Sequence, residues 1–278
     1  MTMRRTSLLL IGLLVFVTAC QGGNPDDLLA TIKSRGEIKI STDPNYAPQS
    51  FANPDGSYEG FDIDVANAIG DALGVDVVFE TPAWEAITAG SWSERWDISV
   101  GSMTVTEDRK SVLSFSDPYY YTPAQMAATD ASGIDSLEGL AGMTVCAGES
   151  TTYVDWLEGT LALVDAPDPA EPPADVKVTT LSTDANCAES VQAGRDDFEG
   201  FLTSSTVIQQ AIDEGIELHT VGDPVFFEPL AVAIDKSGPA HEELLAEINR
   251  IIGEMHEDGT LKELSEKWFG IDLTTASE

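Results

Sequence analysis

Ser102, Thr104 and Arg109 form the most chemically suggestive spacing in the chain. They lie within Trp96–Tyr120 (WDISVGSMTVTEDRKSVLSFSDPYY), where an apolar strand from Ile98 to Gly101 runs into Ser102, Met103 and Thr104. A Thr-Glu-Asp turn then presents Arg109. Short hydroxyls, free strand-end backbone groups and a guanidinium fork suit a bound carboxylate, because the fork matches two oxygens at once. The same residues also fit a plain strand-turn-helix corner, with Thr106 as N-cap and Arg109 as a surface arginine. Cations are scarce here: 14 Lys and Arg stand against 48 Asp and Glu, a formal charge of −34. That balance excludes an electrostatic nucleic-acid binder and fits a solvated, repulsive surface.

The elements that must position these residues alternate from Glu37 onward. Ile38–Ile40 reads as a strand ending at Ser41-Thr42-Asp43-Pro44, and Phe61, Val65, Ile69 and Leu73 fall at helical spacing. A strand over Val75–Glu80 completes a βαβ unit, which argues for a parallel sheet. A second set follows Ala141-Gly142, with strands at Thr144–Ala147, Val176–Leu181 and Phe198–Leu202. Helices are expected at Thr151–Leu163, Cys187–Ala193 and Thr206–Asp213. The run DAPDPAEPPAD (165–175) is a loop. A strand over Val225–Ile234 and helices at Pro239–His256 and Leu261–Trp268 close the chain. The economical arrangement is an α/β protein of two lobes with two crossover hinge strands. The chain crosses near Tyr119–Gln125 and returns near Pro224–Leu230, with a cleft at the strand C-termini. The lobes are expected to be built from 36–122 with 225–270, and from 123–224. Residues 271–278 would form a tail.

Arg4 and Arg5 precede an apolar run, Leu8–Val17, that is too short to span a bilayer. It ends in Val17-Thr18-Ala19-Cys20, which resembles the lipobox of bacterial lipoproteins. Residues 1–19 would then be a signal peptide, Cys20 the lipid attachment site and 20–35 a tether. The alternative is an ordinary signal peptide with a chance cysteine. Outside the cytoplasm, Cys146 and Cys187 fit a disulfide, with two buried thiols as the alternative. His219, His241 and His256 have no metal-ligand spacing, so no metal or cofactor is expected.

Gly60-Phe61-Asp62-Ile63-Asp64-Val65-Ala66, followed by Ile69-Gly70 and Leu73, resembles the signature of the type 3 extracellular solute-binding proteins. These are amino-acid receptors of ABC importers. The resemblance runs from about Glu37 to Asp258-Gly259-Thr260-Leu261 and Lys267-Trp268-Phe269. It implies a monomer that binds a small carboxylate-bearing solute, such as a polar amino acid, between two lobes and hands it to a membrane permease. It further implies that Tyr46, in the loop after Asp43, covers the ligand and that Trp84 forms a second wall. Ser102 and Thr104, flanking Met103, would meet the ligand's polar ends, and Arg109 would clamp its carboxylate. In the second lobe Ser150-Thr151-Thr152 would meet the same carboxylate at a helix N-terminus.

One position departs from the pattern. Relatives carry an ammonium-binding aspartate five residues beyond the Gly-Arg-x-Asp motif (here 194–197), and counting forward gives Leu202, followed by Thr203 and Ser204. A leucine cannot neutralise an ammonium, so Glu149 or Glu228 would supply the charge, or the ligand lacks a standard α-ammonium. Two competing readings are an enzyme on the same fold, such as a cyclohexadienyl dehydratase, and a receptor reporting to a membrane sensor.

Overall fold

The computed structural model describes residues 27–195 and 197–276. The signal-peptide and Cys20 expectations lie outside the described residues. The first lobe begins with α1 (Leu28–Arg35) and β1 (Glu37–Ser41), then a small antiparallel sheet of β2 (Asn45–Tyr46), β3 (Ser50–Ala52) and β4 (Tyr58–Glu59). It continues through α2 (Phe61–Leu73), β5 (Asp76–Glu80), α3 (Trp84–Thr88), β6 (Ile98–Thr104) and α4 (Glu107–Val112). The long strand β7 (Leu113–Thr129) leads into β8 (Thr144–Gly148), α5 (Thr152–Leu157), β9 (Lys177–Leu181), α6 (Asp184–Gln192), β10 (Gly200–Ser204), α7 (Ser205–Asp213) and β11 (Leu218–Thr220). Strand β12 (Phe226–Asp235) returns, and α8 (Glu242–Glu257) and α9 (Thr260–Phe269) complete the chain.

The main sheet has the order β5-β1-β6-β12-β7-β10-β8-β9, with β11 paired to β7. β1 pairs in parallel with β5 and β6, and β8 pairs in parallel with β10 and β9. The two parallel sets are joined by the antiparallel pair β7–β12, which runs through both lobes. Tyr119 and Tyr120 belong to the first lobe's core and Ala124 and Met126 to the second's; on β12, Leu230 and Phe226 divide the same way. Between these lie the partners Thr122 and Glu228.

The two sequence signatures meet in the first lobe. α2 starts at Gly60, where φ is +130° and a Cβ would stand 2.2 Å from the Gln49 carbonyl oxygen, so no side chain fits there. Phe61, Val65, Ile69 and Leu73 are buried on one face, Asp62 and Asp64 suit the positive helix start, and Gly74 ends the helix left-handed. Asp64 accepts hydrogen bonds from Lys267 Nζ and Trp268 Nε1, each at 2.7 Å, and Phe61 packs on Phe269 at 5.0 Å between ring centroids.

Three expectations change. The tether does not extend to residue 35: Leu28–Arg35 is α1, capped by Asp27, with Leu28 and Ile32 buried in the first lobe. The helix expected to reach Leu163 stops at Leu157, because Gly159 turns left-handed and the Asp155 carbonyl accepts from Thr160 and Leu161. The expected tail is docked: the Leu273 carbonyl accepts from the Tyr121 N–H, and Thr274 is buried. Among the described residues no helix is long and apolar enough to cross a membrane.

Candidate ligand-binding cleft

A cleft opens between the lobes at the ends of β1, β6 and β8. Asp43, Tyr46, Trp84, Ser102, Thr104 and Arg109 line it from the first lobe, with Glu228 on the connecting strand β12. From the second lobe come Gly148, Glu149, Thr151, Thr152, Tyr153 and Asp184.

Arg109 is held by its helix. Thr106 caps α4 by accepting from the Arg109 N–H at 3.2 Å, and the guanidinium turns inward to donate to the carbonyls of Thr104 and Ser150, each at 3.1 Å. Trp84 lies 5.6 Å from it, and Trp84 Nε1 also donates to the Ser150 carbonyl. The capping role and the guanidinium role are thus compatible. Arg109 is buried, and burial lowers its pKa from the ordinary arginine value while Asp155 and Glu228 act the other way. No ion pair joins Arg109 to a carboxylate among the described residues. Two of its five N–H groups are occupied by carbonyls, so the guanidinium retains capacity for an anion.

Ser102 and Ser150 both have left-handed φ, 54° and 60°, which is costly for a residue with a side chain and clusters at functional sites. Beneath Ser102 sits Asp62, fully buried, accepting from Ser102 Oγ and Tyr119 Oη at 2.7 Å each. The Tyr119 oxygen accepts in turn from the Ser102 N–H at 3.1 Å, and Tyr120 Oη bonds Ser102 Oγ. Burial pushes the Asp62 carboxyl up to about 7, with the Ser102 and Tyr119 bonds partly offsetting it.

The acids form the opposite side of the site. Glu228 accepts from Thr104 Oγ1 and Thr152 Oγ1 at 2.6 Å and from Tyr153 Oη at 2.8 Å. Asp184 opens α6 and accepts from the Gly148 N–H at 2.8 Å and Thr203 Oγ1 at 2.9 Å. A Cβ on residue 148 would stand 2.8 Å from Asp184 Oδ1, so glycine is needed for that approach. Burial pushes Asp184 up to about 7, with Asp43 and Glu228 adding to the shift. Tyr46 Oη and Tyr153 Oη meet at 3.0 Å across the lobes, and burial first, then the charges of Asp184 and Glu228, raise the Tyr46 pKa.

Disulfide bonding between Cys146 on β8 and Cys187 on α6 ties the Asp184 helix to the strand that ends at Gly148. The bridge therefore has a positional consequence as well as a stabilising one.

Three expected ligand residues are corrected. Met103 is fully buried against Ile87, Trp92 and Trp96, because side chains alternate along β6 and only Ser102 and Thr104 face the cleft. Leu202 is fully buried in the second lobe's core with Met126 and Phe226. Thr203 supports Asp184 from behind instead of lining the cleft. Ser150 contributes its carbonyl oxygen to Arg109 and Trp84. The residues that the family pattern missed are Asp184 and Tyr153. Asp184 was discoverable: it lies one helical turn before Cys187, and a bridge to Cys146 brings that turn beside Gly148.

The sequence from 38 to 271 matches the description of the bacterial extracellular solute-binding proteins, family 3. Over 253 residues it is 29% identical to the L-cystine-binding protein TcyJ of Escherichia coli, covering 90% of this chain and 88% of that one. It is 28% identical to the probable amino-acid-binding protein YxeM of Bacillus subtilis, covering 97% and 96% of the two chains. Among solved structures, it is similar to the ancestral amino acid-binding protein AncCDT-1, a precursor of cyclohexadienyl dehydratase. That pair has a TM-score of 0.73 and 31% identity, covering 87% of this chain and 99% of that one. An ancestral arginine-binding protein bound to arginine gives a TM-score of 0.73 at 28% identity, covering 85% and 99%. With its two lobes, its cleft and this match over most of its length, the chain belongs to the bacterial extracellular solute-binding proteins of family 3.

Proposed function

We propose that this protein is the substrate-binding receptor of an ABC importer, a monomer anchored to the outer face of the cell membrane or in the periplasm by lipidated Cys20, and that it closes its lobes on an amino acid. In this reading the lobes divide at 122/123 on β7 and between Phe226 and Leu230 on β12, so closure bends the two strands near Thr122 and Glu228. The observation that carries the reading is Arg109, a buried guanidinium with no carboxylate partner among the described residues, facing a cleft lined by buried acids. A ligand carboxylate supplies the missing anion, met also by Thr151 and Thr152 at the start of α5.

An α-ammonium is one carbon removed from its carboxylate, so its acceptor must lie near Arg109. Glu228 meets that condition, since it accepts from the Thr104 hydroxyl while Arg109 donates to the Thr104 carbonyl. Glu228 thus takes the part that Leu202 cannot. Relatives named as amino-acid- or cystine-binding proteins support the ligand class. A thermal-shift screen of the ligand-stripped protein against amino acids, dicarboxylates and amines tests it. Stabilisation by L-amino acids and not by amines alone supports the reading; stabilisation by none of the L-amino acids refutes it.

A further inference from the structure

Outside the cleft, main chain joins main chain between the lobes. The Glu107 N–H donates to the Ala162 carbonyl at 3.1 Å and the Val164 N–H to the Val105 carbonyl at 3.2 Å, with Thr106 and Leu163 facing each other as an antiparallel bridge. None of these residues lines the ligand cleft. The first-lobe partners sit between Thr104 and Arg109, and Thr106 caps the helix that carries Arg109. Their counterparts belong to a short strap that the second lobe holds at both ends. Before it, the Asp155 carbonyl accepts from the N–H groups of Thr160 and Leu161 at 2.8 and 3.1 Å. Beyond it, the Ala170 N–H donates to the Val225 carbonyl and the Ala170 carbonyl accepts from Trp156 Nε1. Leu161 and Leu163 pack on the core cluster that contains Trp156 and Leu157. The strap is therefore part of the second lobe, and it reaches across to the first.

A bridge built from main chain reads no side chain and no ligand, so it favours closure equally whatever the cleft holds. A ligand that binds only the closed form has its apparent affinity scaled by the fraction closed. We infer that 160–164 is a latch: it docks on 105–107 as the lobes close, seats the start of α4 and with it Arg109, and raises the affinity for every bound amino acid by one common factor. The inference rests on the receptor reading above and adds a determinant of affinity that never touches the ligand. It also gives the early end of α5 a use. A helix continued to Leu163 would spend the Val164 N–H on its own last turn, leaving nothing to offer the Val105 carbonyl.

Glu107→Pro tests the latch with little harm to α4. Glu107 is the first helical residue, where proline is favoured, and Thr106 before it is extended (φ −122°, ψ 159°), as suits a residue preceding proline. The substitution deletes the N–H and puts the ring where the Ala162 carbonyl docks, so both bridge bonds are lost. Each such bond is worth about 2- to 12-fold in an equilibrium constant, so affinity should fall at least about 5-fold. The probes are the coded L-amino acids, titrated calorimetrically. All that bind the wild type should lose affinity by the same factor, within about twofold, with their order unchanged. Glu107→Ala, which keeps the N–H, should restore wild-type affinity. Val164→Pro removes the other bond from the opposite lobe, and it carries the test if Glu107→Pro fails to fold. The double variant should bind no more than about twofold more weakly than the weaker single variant, because both substitutions undo one contact. Two unrelated distortions would instead multiply. Wild-type affinity in the proline variants, factors that differ between amino acids, or multiplying losses overturn the inference and leave the receptor reading intact. Failure of every probe to bind the wild type overturns the receptor reading, and the inference with it.

Discussion

Asp184→Asn should stabilise the ligand-free protein, and the effect should depend on pH in a defined direction. The native state holds this carboxyl at about 7, against an ordinary value of 3.8, because burial disfavours its charge. A proton is therefore bound more tightly in the folded than in the unfolded chain. The sign follows: wild-type stability falls as pH rises from about 4 to about 7 and is flat beyond, by roughly 4 kcal/mol for this one group. Asparagine removes the titration and keeps both bonds, accepting from the Gly148 N–H and exchanging donor and acceptor roles with Thr203. Urea unfolding of the ligand-stripped wild type and variant at several pH values between 4 and 8 measures it. The variant's advantage should grow from near zero at pH 4 to roughly 4 kcal/mol at pH 8. Parallel profiles, or a variant less stable at pH 8, would refute the burial argument.

Other perturbations separate binding from stability. Arg109→Ala should weaken amino-acid binding by about 2–5 kcal/mol in calorimetry while leaving the fold intact by circular dichroism. Gly148→Ala should displace Asp184 through the added methyl and cost affinity, read as a reduced thermal shift with ligand. Leu202→Ala should do the reverse, destabilising the second lobe by about 2–5 kcal/mol in urea unfolding without changing the order of ligands in a thermal-shift panel. Replacing both Cys146 and Cys187 by serine should cost roughly 4 kcal/mol in the chain-entropy model, less any strain, and loosen the Asp184 helix. Native stability equal to that of the bridged protein would show that packing alone holds α6.

Much of this architecture is legible in the sequence for physical reasons that differ from place to place. The α2 helix can be read because four apolar residues recur at helical spacing between two glycines with clear backbone roles. Thr106 and Arg109 can be read because a cap and a guanidinium are local features. Met103 misleads only if the strand is taken to end at Gly101; β6 continues to Thr104, and strand parity then turns Met103 inward. Leu202 and Asp184 mark the limit. Counting along a motif finds the position where relatives carry an acid, but not that Asp184 lines the cleft from another element. That requires knowing that a disulfide brings the start of α6 beside Gly148, a contact between residues 36 apart. Glu228 is similar, since its role depends on hydroxyls from Thr104, Thr152 and Tyr153 in both lobes.

The central claim is that Arg109 holds the carboxylate of a ligand enclosed between the lobes, and a thermodynamic cycle tests it most directly. The best-bound L-amino acid and its decarboxylated amine are titrated into wild type and Arg109→Ala. If the guanidinium and the carboxylate are partners, the arginine substitution costs about 2–5 kcal/mol with the amino acid and almost nothing with the amine. Equal costs for both ligands would mean that Arg109 does not contact the carboxylate, and the proposed orientation of the ligand would fail.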